Sequence, residues 1–179
     1  MRRLVDRANL DALLRELGRH AEAPTRLFLV GGSSALLHGW RSSTIDVDIR
    51  IEPDSGAVAR AIPQVKERLA MSIELASPLD FLPPLPGWRD RCRFLRQEGK
   101  LAIFEFDFYS QALAKIERGF ETDLADVRSM IGEGLVEPKQ LQSLFSEIAG
   151  EFFRFPAVDV RALAADLARA MASTESRDP

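Results

Sequence analysis

The stretch that decides the fold covers residues 26–51 and reads RLFLVGGSSALLHGWRSSTIDVDIRI. Its first five residues form a short apolar run typical of a buried strand, and a pair of glycines ends that run abruptly. A short helix follows, which Ser33 or Ser34 can cap. The strand predicted at 44–51 alternates strictly between apolar and charged side chains. This order of elements predicts a mixed α/β first half of the chain.

Two carboxylates on the second strand are the strongest chemical signal. Because side chains alternate along a strand, Asp46 and Asp48 lie on one face, about 7 Å apart along the chain. The two negative charges repel each other unless a cation lies between them. Mg²⁺ (or Mn²⁺) that is also held by substrate phosphates meets this need. The glycine turn offers close backbone approach and N–H donors to a phosphate tail at Gly31 and Gly32, and Ser33 adds a hydroxyl.

A glycine turn and an acidic strand face are each common without any function, but here they occur together. The combination resembles the signature of the polymerase-β-like nucleotidyltransferase superfamily, which is an apolar strand, Gly-Gly-Ser, and then Asp-apolar-Asp-apolar on the next strand. The resemblance implies a nucleotidyltransferase fold. It also implies that Asp46 and Asp48 bind divalent metal and that the turn at Gly31, Gly32 and Ser33 holds a nucleoside triphosphate such as ATP.

The same resemblance implies a third carboxylate from a later, neighbouring strand. The run IFEFDFYS offers Glu105 and Asp107, two residues apart on one face of a strand predicted at 100–108. We favour Asp107 as the third metal ligand because it lies nearer the end of that strand. Glu105 stays open as the alternative, as does a hairpin strand with a solvated acidic face.

The following helical segment resembles the small bacterial nucleotidyltransferases of toxin–antitoxin and abortive-infection systems. Their helix lysine and Asp-x-x-Asp helix start are matched by Lys115 and by Asp123 and Asp126, which implies catalytic roles for Lys115 and Asp123. Lys115 and Arg118 are three residues apart on one helical face, where they could neutralise a triphosphate or a nucleic-acid backbone. Asp123 also suits a helix cap. Asp126 could pair with Lys115 or Arg118, or only with Arg128.

The whole pattern predicts an α+β fold, a mixed sheet flanked by helices with a helical C-terminal tail. We expect a core at 1–108, a helical region packed on it at 109–173 and a frayed tail at 174–179. The predicted helices are 4–20, 55–70, 110–119, 122–132, 138–149 and 159–172, and the further strands lie near 71–75, at 91–97 and at 100–108, with a proline-rich loop at 77–88.

Composition limits the class of protein. The chain has 179 residues with 24 Lys and Arg against 27 Asp and Glu, which excludes a generally basic nucleic-acid coat. A local basic groove stays open, because Arg89, Arg91 and Arg93 would alternate on one strand face if the strand begins that early, although a solvated strand face is the favoured alternative. The single cysteine, Cys92, excludes a disulfide framework and fits a reducing cytoplasm. No apolar run reaches the length of a signal peptide or a membrane span, so we expect a soluble, cytoplasmic protein.

The predicted function is a metal-dependent enzyme that moves a nucleoside monophosphate from a nucleoside triphosphate onto an acceptor. By resemblance, the acceptor is the 3′ end of a tRNA or a hydroxyl on a protein, in a toxin–antitoxin type system with a cognate antitoxin or toxin as partner. The alternative is a catalytically inactive binding module on the same fold that neutralises a partner protein.

Overall fold

The computed structural model describes residues 4–54 and 56–175. It confirms the α+β fold with a five-stranded mixed sheet. In chain order the elements are α1 (Arg7–Arg19), β1 (Thr25–Val30), α2 (Gly32–Leu37), β2 (Asp46–Glu52), α3 (Ala57–Leu69), β3 (Ser72–Leu75), α4 (Trp88–Arg91), β4 (Arg93–Glu98), β5 (Leu101–Glu105), α5 (Phe108–Arg118), α6 (Glu121–Gly132), α7 (Pro138–Ile148) and α8 (Val160–Glu175). Two 3₁₀ turns lie at Pro78–Asp80 and Ala149–Arg154. No helix in the described part of the chain is long and apolar enough to cross a membrane.

The described chain divides into two compact units. The first comprises the residues up to Ser77 together with Cys92–Phe106, and the second comprises Pro78–Arg91 and the residues from Asp107 onward. The proline-rich segment therefore belongs with the C-terminal helices, whereas the predicted core at 1–108 included it. In the second unit the apolar residues of this segment, Leu82, Leu85 and Trp88, are buried.

The sheet of the first unit has the strand order β3-β2-β1-β5-β4. β1 is antiparallel to β2 and parallel to β5, while β3 runs parallel to β2 and β4 antiparallel to β5. Side chains that lie opposite each other in this register share a face of the sheet. The register places Leu29 opposite both Ile49 and Glu105, and Val30 opposite Asp48. Asp48 therefore lies on the opposite face from Glu105.

One face of this sheet carries the core of the first unit. Leu27, Leu29 and Ile49 pack there in one buried cluster with apolar residues of α1 and α3. The helix α1 forms because its leucines recur every three to four residues and because Asp6 caps it by accepting from the Asn9 N–H. Burial of this face leaves the other face of β2 to the charged residues, as the alternation predicts.

The structure corrects several predicted boundaries. β5 ends at Glu105 and α5 begins at Phe108, because Asp107 caps α5 instead of extending the strand. Arg89 and Arg91 lie in α4, while Arg93 begins β4, so the predicted alternation of three arginines on one strand face is wrong. α8 continues to Glu175, and the rest of the predicted frayed tail at 174–179 lies outside the described residues.

Candidate functional site

The carboxylate pair lies on one face of β2, which confirms the predicted placement. Asp46 and Asp48 are both half-buried. Val47, which lies between them, and Ile49, which follows Asp48, are buried in the core. Asp48 lies opposite Val30, the last residue of β1. The pair is therefore held at the point where β1 ends and the glycine turn begins.

The glycine turn lies directly against this pair. Gly31 adopts φ 60° and ψ −123°, a conformation that side-chain-bearing residues rarely adopt. A Cβ atom added at Gly31 would lie 3.1 Å from Oδ2 of Asp48. The backbone of the turn thus lies close to the carboxylate, and a side chain at this position would be strained by the backbone conformation and crowded by Asp48.

The two serines after the turn do not cap α2, which corrects the prediction. Gly31 occupies the cap position and the helix begins at Gly32, so Ser33 and Ser34 lie inside the helix and are fully buried. Within the described residues, neither hydroxyl has a hydrogen-bond partner. Buried hydroxyls are normally paired, so Ser33 keeps an unused hydrogen-bonding capacity next to the turn.

The pair fits a magnesium ion that takes its other ligands from a substrate. Mg²⁺ in phosphate-transfer sites is commonly held by one or two carboxylates together with phosphate oxygens and water. Glu74 of β3 lies opposite Asp48 on the same face and is exposed. The sequence alone does not indicate this neighbour of Asp48, because only the strand register brings the two residues side by side. Among residues 4–54 and 56–175 no group of three or more His, Cys, Asp or Glu side chains is arranged to hold a metal.

Asp107, the predicted third metal ligand, pairs with Arg91 and caps α5 in its own unit. It is fully buried and receives two hydrogen bonds from the Arg91 guanidinium, at 2.8 and 3.0 Å. It also accepts from the N–H groups of Tyr109 and Ser110 and, at 2.6 Å, from the Ser110 hydroxyl. Its oxygens are thus occupied by one cation and by the first turn of α5. It does not share a strand face with Glu105, which corrects that part of the prediction.

Glu105, the alternative third carboxylate, points to the core face of the sheet. It is 2% exposed, and its Oε1 lies 3.0 Å from Nε2 of His38. Burial raises the pKa of the Glu105 carboxyl, although His38 and Arg93 partly oppose that shift. Because Asp48 lies on the other face, the sheet separates Glu105 from the carboxylate pair.

Lys115 lies in a buried ion network that joins α5 to α6. Its Nζ donates to Asp123 at 2.9 Å and to Asp126 at 2.6 Å, and all three side chains are at most 5% exposed. Arg118 adds two hydrogen bonds to Asp123, at 3.0 and 2.7 Å. Burial acts to raise the pKa of Asp123, but the bonds from Arg118 and Lys115 hold it below its ordinary value. Of the pairings left open for Asp126, the one with Lys115 is confirmed.

A protein-family model matches most of this chain. Neither the curated proteins nor the solved structures contain a match to this chain. A model of the family described as "Nucleotidyltransferase of unknown function (DUF6036)" matches residues 7–157. That range includes the glycine turn, the carboxylate pair and the α5–α6 ion network. The chain therefore belongs to the nucleotidyltransferase family of unknown function DUF6036.

Proposed function

We propose that the protein transfers a nucleoside monophosphate from a nucleoside triphosphate to an acceptor hydroxyl in a reaction that depends on Mg²⁺ or Mn²⁺. The observation that carries the proposal is the contact between the glycine turn and the carboxylate pair: the backbone at Gly31 lies against Asp48, and Asp46 shares its face of β2. Membership of a nucleotidyltransferase family supports the same chemistry.

Each part of this site has a task in the reaction. Asp46 and Asp48 would hold the metal, which supplies neutralisation and orientation of the triphosphate charge when bound. The backbone of the turn at Gly31 and Gly32 would lie along the phosphate tail, and the unpaired hydroxyl of Ser33 would donate to it. In the transfer, the acceptor hydroxyl gives up its proton to water and its oxygen forms a bond to the α-phosphorus. The bond from that phosphorus to the bridging oxygen breaks, and pyrophosphate leaves.

The proposed site does not include the α5–α6 ion network. Lys115 and Arg118 carry two positive charges, and Asp123 and Asp126 carry two negative charges. The four charges cancel, so the network offers a triphosphate no net attraction. The burial of Lys115, Asp123 and Asp126 and the bonds between the two helices support a role in holding the helical unit together.

The acceptor is proposed to be a tRNA or a protein hydroxyl, as in the toxin–antitoxin nucleotidyltransferases that the sequence resembles. The near-balanced charge of the chain favours a protein or a small acceptor over bulk RNA. A cognate toxin or antitoxin would then be the partner, and the cytoplasm the place of action.

A second function, nucleotide binding without transfer, is favoured by one observation. No third carboxylate joins the pair in a metal-holding arrangement among the described residues. A chain of this kind would act as a binding module that neutralises a partner protein.

The test is a transfer assay with each α-labelled nucleoside triphosphate, Mg²⁺, total tRNA and cell lysate. Asp46→Asn removes a proposed ligand, and Glu52→Gln is the matched control because Glu52 ends the same strand, where it pairs with Arg50. We expect label on tRNA or on one protein with the wild type and with Glu52→Gln, and none with Asp46→Asn. Binding of nucleotide without any transfer would select the binding module, and absence of both would refute the proposal.

A further inference from the structure

Thr44, two residues before the carboxylate pair, contacts three parts of the first unit. Its hydroxyl donates to the backbone carbonyl of Asp46 at 3.0 Å. Its own backbone pairs with Val5 in both directions, at 2.8 and 2.9 Å, as an isolated antiparallel bridge. Its side chain lies against Gly32. One residue thus joins the N-terminal segment, the start of β2 and the glycine turn.

The contact with Thr44 explains why the second position of the turn is glycine. Gly31 requires glycine for its positive φ, but Gly32 has no positive φ and begins an ordinary helix. A Cβ atom added at Gly32 would overlap the Thr44 hydroxyl oxygen and lie 3.1 Å from the Thr44 Cβ. Rotation of the Thr44 side chain would move the hydroxyl but not the Cβ, and it would break the bond to Asp46. Position 32 is therefore a glycine because the Thr44 side chain occupies the space that a Cβ atom would need.

The N-terminal segment fixes Thr44 in this place. Val5 is fully buried, and the next residue, Asp6, caps α1. The two hydrogen bonds of the bridge tie the Thr44 backbone to this anchored segment. Thr44 cannot move away from Gly32 without breaking them.

We propose that Thr44 is a positioning residue that sets the separation between the glycine turn and the carboxylate pair. This inference rests on the proposed function, in which the turn holds the phosphates and the pair holds the metal. Thr44 reaches both sides of that site, the turn through its packing on Gly32 and the pair through its bond to Asp46. Transfer requires the phosphate and the metal at the correct distance from each other. A displacement of one of them by about 1 Å can reduce the rate by about 100-fold.

The first test separates the hydroxyl of Thr44 from its shape. Thr44→Val keeps the branched shape and loses the hydroxyl, whereas Thr44→Ser keeps the hydroxyl. We expect Thr44→Val to lower kcat by roughly 10-fold to 100-fold and to weaken Mn²⁺ binding measured by electron paramagnetic resonance. At saturating Mn²⁺ the KM for nucleotide should be nearly unchanged. Thr44→Ser, which keeps the hydroxyl, should keep most of the wild-type kcat and most of the wild-type Mn²⁺ affinity. Equal Mn²⁺ affinity and equal kcat in Thr44→Val and the wild type would overturn the proposal.

The second test is a double-mutant cycle of Gly32→Ala and Thr44→Gly. In the wild-type background, we expect Gly32→Ala to lower the thermal midpoint and the nucleotide affinity. In the Thr44→Gly background, the same substitution should cause less than half of each loss. A double variant as impaired as Gly32→Ala would overturn the proposal, because the glycine would then be needed for a reason other than Thr44. A wild-type chain that binds no nucleotide would contradict the proposed function itself, whereas the thermal cycle would still report the contact.

Discussion

Replacement of Lys115 by methionine tests the assignment of the α5–α6 network to stability. The ammonium group donates to two buried aspartates at 2.9 and 2.6 Å. Methionine fills a similar volume but leaves Asp126 without that ion pair and Asp123 with Arg118 as its remaining cation in the network. Removal of one partner from a buried ion pair typically costs 3–5 kcal/mol because a charge is left uncompensated. We therefore expect Lys115→Met to lower the free energy of unfolding by about 3–5 kcal/mol.

The assay is urea unfolding followed by far-ultraviolet circular dichroism. The control is Lys139→Met, an exposed lysine of α7 whose loss should change the free energy of unfolding by at most about 0.5 kcal/mol. Adding Asp126→Asn to Lys115→Met removes the negative charge that the first substitution leaves behind, so the double variant should regain part of the loss. A Lys115→Met protein that is as stable as the control but no longer binds nucleotide would refute the reasoning and place Lys115 in the nucleotide site.

Three further outcomes follow from the structure. Asp107→Ala should lower the free energy of unfolding by about 3–5 kcal/mol, because it leaves the Arg91 guanidinium without its carboxylate, and should leave Mn²⁺ affinity unchanged in the protein that remains folded; a stable variant with weakened Mn²⁺ binding would contradict this. Asp123 has a lowered pKa, so its stabilising charge is present above its ordinary value of 3.8 and is lost as the pH falls through the lower folded value. The stability gap between the wild type and Asp123→Asn, measured by urea unfolding across pH, should therefore close only below about pH 3.8, and a gap that closes near neutral pH would rule this out. Gly31→Ala should cost about 1–3 kcal/mol from its positive φ, in the same unfolding assay; an unchanged free energy would mean that the turn is not strained by a side chain.

The carboxylate pair could be predicted from the sequence because its placement depends on one local rule. Alternation along a strand puts Asp46 and Asp48 on one face wherever that strand lies, and the apolar residues between them decide which face is buried. Similarly, the leucine spacing of α1 predicts its buried stripe. These signals need no knowledge of what packs against the element.

The surroundings of Asp107 could not be predicted, because they depend on contacts far along the chain. The run around Asp107 alternates like a strand, and Arg91, which turns the carboxylate into an ion pair, lies 16 residues away. Asp107 instead caps α5, a role that the alternation around it does not indicate. Glu74 was missed for a related reason, since its place beside Asp48 follows from the pairing of β2 with β3.

The Lys115 network could be predicted only in part. Sequence spacing identified all four residues and named the pairing of Asp126 with Lys115 as one possibility. Burial of the lysine between α5 and α6 could not be predicted, because each helix shows only its own polar face in the sequence. The charge that looked available to a phosphate is in fact compensated by its neighbours.

The central claim is that Asp46 and Asp48 hold a metal that binds the triphosphate against the glycine turn. The most direct measurement is the affinity of a non-hydrolysable nucleoside triphosphate analogue, titrated with and without Mn²⁺, for the wild type, Asp46→Asn, Asp48→Asn and the control Glu52→Gln. We predict tight binding that requires Mn²⁺ in the wild type and the control, and loss of that metal dependence in both aspartate variants. Binding that is equally tight without metal, or that survives in Asp46→Asn and Asp48→Asn, would contradict the account.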